Sequence, residues 1–265
     1  MQQPTEQRHV VRIGANTDLD VDDYLAAEAP LEIRIGNTPI AVLMRTPGAE
    51  SDLALGFAIT EGIILRPSEI TEVREVAADE EGNRWEIVPA DGVTIDPEQF
   101  RRNLYTSSSC SVCGKASIDA VRVVSPPLAA GPTVHREVLL SLPGRMIEAQ
   151  ESFALTGGLH AAAAFYPDGS ILSVREDIGR HNAVDKLVGA LALQAWPLPE
   201  LVLLVSGRIS FEMVQKAAVA GISFVCGVSA ASSLAVDLAE ELGVTVVGFL
   251  KADGCNIYSG RQRVV

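Results

Sequence analysis

The 265-residue chain is short of several things, and each shortage narrows what it can be. It has no apolar run of the roughly 18–20 residues that a membrane span requires. Its start has no positive stretch followed by an apolar one, so no signal peptide is expected, and the expected location is the cytoplasm. It has four cysteines, too few for a disulfide scaffold at this length. It shows no basic stripe: 21 Lys and Arg stand against 34 Asp and Glu, a net charge of −13. A general nucleic-acid binder is therefore not expected. Most of the excess acid lies in residues 1–130, with 11 basic and 21 acidic groups, against 10 and 13 in residues 131–265. That surface is read as solubilising. There is no H-x₃₋₅-H pair for a zinc finger, His160-Ala-Ala and His181-Asn-Ala lack the H-x-E pattern of a zinc deaminase, and Ser109 stands where the deaminases place proline.

What is present suits a globular protein with a sizeable core, 48% hydrophobic and 21% charged. Residues 1–12 are polar and expected to be loosely held. Residues 30–36 and 39–44 read as a β-hairpin about Gly36-Asn37, and 50–64 as a helix with Gly62 near its end. Strands are expected at 72–78 and 84–88, and a short helix at 96–104. Pro126-Pro127 and residues 129–132 are the candidate linker. Residues 137–142 and 144–153 read as helical, with Pro143 as the break. From there strands at 159–165, 171–175, 201–205, 222–228 and 244–250 alternate with helices at 182–193, 211–220 and 232–242. This rhythm predicts an α/β domain with a mainly parallel sheet over residues 131–265, following a smaller β-rich domain over 1–130 (α+β overall).

Chemistry is concentrated in four places. Thr106-Ser-Ser-Ser-Cys110-Ser-Val-Cys113-Gly114 sets a C-x-x-C among small residues, which leave sulfur accessible. Three readings are open: a dithiol redox pair, half of a zinc site completed by His160 and His181, or a persulfide carrier. The other three places follow strands, where open α/β sheets bind ligands. Glu176-Asp-Ile-Gly-Arg180-His181-Asn182 is more polar than a helix cap at Asn182 requires. Ser206-Gly207-Arg208-Ile-Ser210 offers hydroxyls, a small residue and a cation at a helix start, which suits phosphate. Ser229-Ala-Ala-Ser232-Ser233 offers a second such start, although a plain serine cap explains it alone. His160 beside an alanine run reads first as a core histidine and second as a cover for an anion. Cys226 reads as core and Cys255 as incidentally exposed.

The Cys110 loop, Thr156-Gly-Gly-Leu-His160-Ala-Ala, residues 176–186, Ser206-Gly-Arg208-Ile-Ser-Phe-Glu-Met-Val-Gln-Lys216 and residues 228–235 together resemble the FdhD family of formate dehydrogenase accessory sulfurtransferases. The likeness runs in order from about residue 30 to the end. It implies a cytidine-deaminase-like C-terminal domain without the zinc site, and a cytoplasmic homodimer. It implies that persulfide sulfur passes from a cysteine desulfurase to the molybdenum (or tungsten) of bis-molybdopterin guanine dinucleotide, for a formate dehydrogenase client. Cys110 is then the persulfide residue and Cys113 its partner. The family's cofactor-binding stretch falls on Phe249, Leu250, Lys251, Ala252, Asp253 and Gly254, beside Arg180, His181, Ser206, Arg208, Ser229 and His160. The alternative is a cofactor-binding chaperone whose cysteines are structural.

Overall fold

The computed structural model describes residues 2–76, 82–96, 100, 125–128 and 131–265. The helix expected over 96–104, apart from Asp96 and Phe100, and the Cys110–Cys113 loop lie outside them. Among the described residues the fold is mixed α/β, with three sheets. The first is a two-stranded antiparallel ribbon, β1 (Thr5–Ile13) on β2 (Asp18–Ala26). Residues 1–12 were expected to be loosely held. Their cross-strand pairing from Thr5↔Ala26 to Ile13↔Asp18 corrects that.

The second sheet has the order β4-β3-β6-β5, from β3 (Ala29–Ile35), β4 (Thr38–Arg45), β5 (Ile70–Glu75) and β6 (Arg84–Pro89). The expected hairpin of β3 and β4 is present. The third sheet has six strands in the order β12-β11-β10-β9-β7-β8. These are β7 (His160–Phe165), β8 (Ile171–Asp177), β9 (Val202–Val205), β10 (Phe224–Gly227), β11 (Thr245–Lys251) and β12 (Gly254–Ser259). The parallel character holds for the central β9-β10-β11, while β7, β8 and β12 pair antiparallel. The apolar run of β11 masked the turn that sends the chain back as β12, which the sequence reading did not anticipate.

Both faces of the six-stranded sheet are covered, which is why its strands read as unbroken apolar runs. Ala161, Ala163, Val202, Leu204, Phe224 and Val247 face α2 (Arg136–Glu148), which contributes Leu139, Leu142 and Met146. Ala162, Ala164, Leu203, Val205, Val225 and Val246 face the other way, into the core shared with α4 (Arg180–Ala192), α5 (Phe211–Val219) and α6 (Ser233–Leu242). Pro143 does not break α2: it is buried inside the helix, and the break comes at 149–150, before the short α3 (Glu151–Thr156). Proline removes one intrahelical hydrogen bond. Burial of Leu139, Leu142 and Met146 on the sheet keeps the helix continuous through it.

The remaining helix, α1 (Glu50–Thr60), is buried at every position from Leu53 to Thr60. A helix that is apolar all round must be covered all round. The four-stranded sheet supplies Leu31, Ile33 and Ile87 to the same core that holds α1 and α4. The backbones of α1 and α4 touch where both carry glycine. A Cβ on Gly56 would lie 1.7 Å from the Asp185 carbonyl oxygen, and one on Gly189 would lie 1.9 Å from that of Asp52.

Buried charges bind the same junction. Lys216 Nζ on α5 donates to Asp185 Oδ1 and Oδ2 on α4 at 2.9 and 3.0 Å, to Glu61 Oε1 at 2.9 Å and to Thr60 Oγ1 at 2.8 Å. Burial alone would lower the Lys216 ammonium, but Asp185 and Glu61 outweigh it and hold it above the ordinary lysine value. Lys216 stays charged because two carboxylates meet on it.

Three substitutions test the packing of the helices. Gly189→Ala is expected to lower stability in urea melts by at least about 1–3 kcal/mol through overpacking. Gly144→Ala, on α2 with open space around its Cβ position, is expected to raise it by about 0.5–1 kcal/mol. Lys216→Met, which strands two buried carboxylates, is expected to cost about 3–5 kcal/mol by the same measurement.

Candidate functional site

The carboxyl ends of β8, β9, β10 and β11 lie at one end of the six-stranded sheet, together with the amino end of the antiparallel β7. A cavity of ≈ 780 Å³ opens there, within the range usual for small-molecule sites. The break between α2 and α3 forms one wall, with Met146, Ile147 and Phe153. The strand ends form the other, with His160, Ser206, Val228 and residues 250–252.

Of the residues singled out from sequence, His160, Ser206, Leu250, Lys251 and Ala252 line this cavity. Ser206 Oγ accepts the Ala161 amide at 2.9 Å and lies 3.2 Å from His160 Nδ1. The serine therefore clips the end of β9 to the start of β7 and orients the imidazole. Burial, then the nearby positive groups of Arg180 and His181, push the His160 imidazole below its ordinary value. It is neutral near pH 7. Arg180 flanks the same spot, since a Cβ on Gly207 would lie 3.5 Å from His160 Cε1 and 3.6 Å from Arg180 Cδ.

His181 is turned inward. It is buried, and its Nε2 lies 2.8 Å from Glu212 Oε2 at the start of α5. Burial alone would raise the Glu212 carboxyl. The close contact with His181 and the positive charges of Lys216 and Arg180 outweigh burial and hold it below the usual carboxylate value.

Much of the polar stretch 176–186 has a structural task. Asp177, fully buried, accepts from the backbone amides of Thr46 and Gly179, from Asn182 Nδ2 and from Lys186 Nζ. Asn182 Nδ2 also donates to the Met44 carbonyl at 2.8 Å. These bonds tie the end of β8 and the start of α4 to the segment after β4. The cap of α4 is Gly179 rather than Asn182. Glu176 caps another helix: its carboxylate accepts the amides of Ser152 and Phe153 at 2.9 and 2.7 Å, at the start of α3.

The two strand-to-helix loops are stitched together. Ile209 N donates to Ala230 O, and Ser232 N donates to Ile209 O, both at 3.0 Å. Arg208 is exposed beside them. Ser229 O accepts from Phe249 N at 2.9 Å. Phe249 has φ 50°, a left-handed conformation uncommon outside glycine, asparagine and aspartate, and the residue is 43% exposed. Leu250 is fully buried and packs under α2. Lys251, Ala252, Asp253 and Gly254 form the turn from β11 into β12. Phe249, Arg180, His181, Arg208, Ser229, Asp253 and Gly254 do not line the cavity.

Cys226 is buried in β10, and burial, then Cys255, pushes its thiol well above the ordinary value. Burial also raises the Cys255 thiol, with Arg136 acting the other way. Neither is an activated nucleophile. Cys110 and Cys113 lie outside the described residues.

Met146, Ile147, Phe153 and the polar Gln150 line the cavity and were not singled out from the sequence. Gln150 stands at the N-cap position of α3, is 3% exposed, and belongs to the α2–α3 wall. A glutamine after a helix carries no sequence signal of its own. Its place in a site follows from the break at 149–150, which Pro143 misdirected.

A model of the FdhD/NarQ family matches residues 26–265. The chain is 49% identical over 269 residues to a Streptomyces coelicolor protein named sulfur carrier protein FdhD, covering 98% of this chain and 95% of that one. It is 48% identical over 270 residues to the protein of that name from Mycolicibacterium paratuberculosis, covering 99% of each. A crystal structure of a proposed formate dehydrogenase accessory protein from Desulfotalea psychrophila superposes with a TM-score of 0.76 at 21% identity, over 98% of this chain and 99% of that one.

The depressed His160 value has a measurable sign. In the folded protein the His160 NMR titration midpoint is expected below 6.5, and Arg180→Ala is expected to raise it. Because the unfolded chain binds this proton more readily, the linked stability falls as pH drops below about 6.5. A midpoint above 6.5 would contradict the geometry.

Proposed function

Because the chain belongs to the FdhD/NarQ family, we propose that it is a sulfurtransferase serving formate dehydrogenase maturation. It takes persulfide sulfur from a cysteine desulfurase and delivers it to the molybdenum of bis-molybdopterin guanine dinucleotide, which is its substrate. The reading is carried by near-full-length identity to relatives named as sulfur carriers, in a chain that holds Cys110 and Cys113 in a C-x-x-C. The Desulfotalea protein's description supports the choice of client. We assign the activity to the cytoplasm and to a homodimer.

The chemistry balances on the two cysteines. The Cys110 thiolate attacks the outer sulfur of a persulfide on the donor. A new S–S bond forms, the donor's S–S bond breaks, and the donor leaves as a thiolate. Delivery at the oxidation level of sulfide takes two electrons. Attack of the Cys113 thiolate on the inner sulfur of Cys110 supplies them, giving a Cys110–Cys113 disulfide and hydrosulfide. A cellular dithiol reductant then resets the pair. Burial raises the thiols of Cys226 and Cys255, which makes them poorer nucleophiles for this step.

The cavity supports a substrate with flat, partly apolar rings and phosphates. Met146, Ile147, Phe153 and Val228 offer apolar contact, and His160, Ser206 and Lys251 offer polar contact. Arg208 and Lys251 are exposed cations near the strand ends that suit phosphate.

Incubation with a cysteine desulfurase and cysteine should add the mass of one sulfur atom to the peptide holding Cys110. Cys110→Ala should remove that adduct and the formate dehydrogenase activity of a complemented strain. Full activity with both cysteines replaced would favour a binding chaperone with structural cysteines.

A further inference from the structure

A second large cavity, of ≈ 760 Å³, lies against the four-stranded sheet and the start of α1, and it shares no lining residue with the cavity at the strand ends. Arg45 lines it and is 1% exposed. Its Nη2 lies 3.1 Å from Glu50 Oε1 and donates to Asn83 Oδ1 at 3.2 Å. Glu50 Oε1 also accepts the Gly48 amide at 2.7 Å, so this carboxylate is fully used. Arg45 Nη1 reaches the Gln2 side-chain oxygen at 3.4 Å, which is long for a hydrogen bond, and Nε has no partner among the described residues. Two further lining carboxylates, Glu28 and Glu75, are exposed and make no hydrogen bond or ion pair among the described residues. Trp85 stands directly across from Glu75 in the β5–β6 register, so the two side chains leave the same face of the sheet. The indole is anchored by its Nε1–H, which donates to Gly82 O at 3.2 Å.

We infer that this cavity is a docking socket for a basic residue of a partner polypeptide. Two uncompensated carboxylates beside an indole are the complement of a guanidinium or ammonium group, which gains an ion pair and a ring face together. An anionic ligand would instead meet three carboxylates and a single guanidinium that Glu50 already neutralises. Arg45 makes the opposite demand, for a neutral acceptor. A basic residue within a peptide meets both demands, because its backbone carbonyl lies a few bonds from its cation. The Gln2 side-chain amide oxygen shows that a carbonyl of this kind reaches Arg45 Nη1. The volume is that of a site for a whole small molecule, larger than one side-chain tip needs, which suits a residue together with its neighbours. The surrounding charge points the same way. Residues 1–130 carry 21 acidic groups against 11 basic ones, and such a surface draws a basic partner and sets its orientation. The socket stands whether or not the chain transfers sulfur, since none of its residues belongs to the C-x-x-C or to the strand ends.

Isothermal titration calorimetry of the full chain tests this with a blocked tripeptide, acetyl-Gly-Arg-Gly-amide, with its citrulline counterpart, which keeps the shape and loses the charge, and with agmatine, which keeps the guanidinium and lacks the peptide carbonyls. Wild type is expected to bind the arginine peptide about tenfold more tightly than the citrulline peptide, the worth of a hydrogen bond to a charged group. Added salt should narrow that gap. Glu28→Gln and Glu75→Gln alter exposed side chains and should keep the melting temperature of wild type. Each should weaken the arginine peptide about threefold, and the two together should erase its preference over citrulline. In NMR spectra the Trp85 indole N–H resonance, identified by its loss in Trp85→Phe, should move on titration with the arginine peptide. Failure of the arginine peptide to bind at millimolar concentration, equal binding of the two peptides, or affinity unmoved in the double glutamine variant would overturn the socket. A stationary Trp85 resonance would place the peptide elsewhere and overturn it as well. Agmatine binding as tightly as the arginine peptide would make the ligand a small cation and overturn the docking of a polypeptide.

Discussion

The contact between Gly56 and Gly189 is the constraint on which the arrangement of the molecule depends. Two helix backbones meet there with no room for a methyl group. That proximity lets α1 lie in one core between the four-stranded sheet and α4. It also brings Thr60 and Glu61 of the α1 end within reach of Lys216 and Asp185. Glycine inside a helix costs about 1 kcal/mol relative to alanine. The cost is offset here by packing that no larger residue permits. Because α4 is fixed along its length, its first residues, Arg180 and His181, are fixed beside the ends of β7 and β9.

The site divides its work between structure and chemistry. Asp177, Asn182, Lys186 and Glu176 spend their polar groups on joining elements. They hold the strand ends and the α2–α3 wall at a set separation, and the cavity is what that separation leaves. His160, Ser206 and Gln150 line that cavity, and walls held by their own bonds lower the ordering cost of binding. Burial raises the thiols of Cys226 and of the partly buried Cys255 above their ordinary value, which favours the C-x-x-C as the place of the proposed sulfur chemistry.

The alternation of strands and helices after residue 159 was legible because each element is buried in a way that its apolar pattern reports. A search for a cavity at the strand ends followed from that alternation, and one is there. The elements missed are those whose patterns report something else. β1 carries Arg8, His9 and Arg12 and pairs with the aspartates of β2, so its polarity hides a strand. Pro143 signals a break, yet α2 runs through it because the sheet holds both sides. The polar richness of 176–186 was visible, but its division between cement and site was not. That division depends on Thr46, Met44 and Ser152, all far away in the chain.

The most direct test of the account is a crystal structure of the protein soaked with guanosine diphosphate. The account predicts a purine ring in the ≈ 780 Å³ cavity, between Phe153 and Val228, with its phosphates running toward Lys251 and Arg208. Density in the cavity beside Arg45 and Trp85 instead, with the strand-end cavity empty, would contradict it.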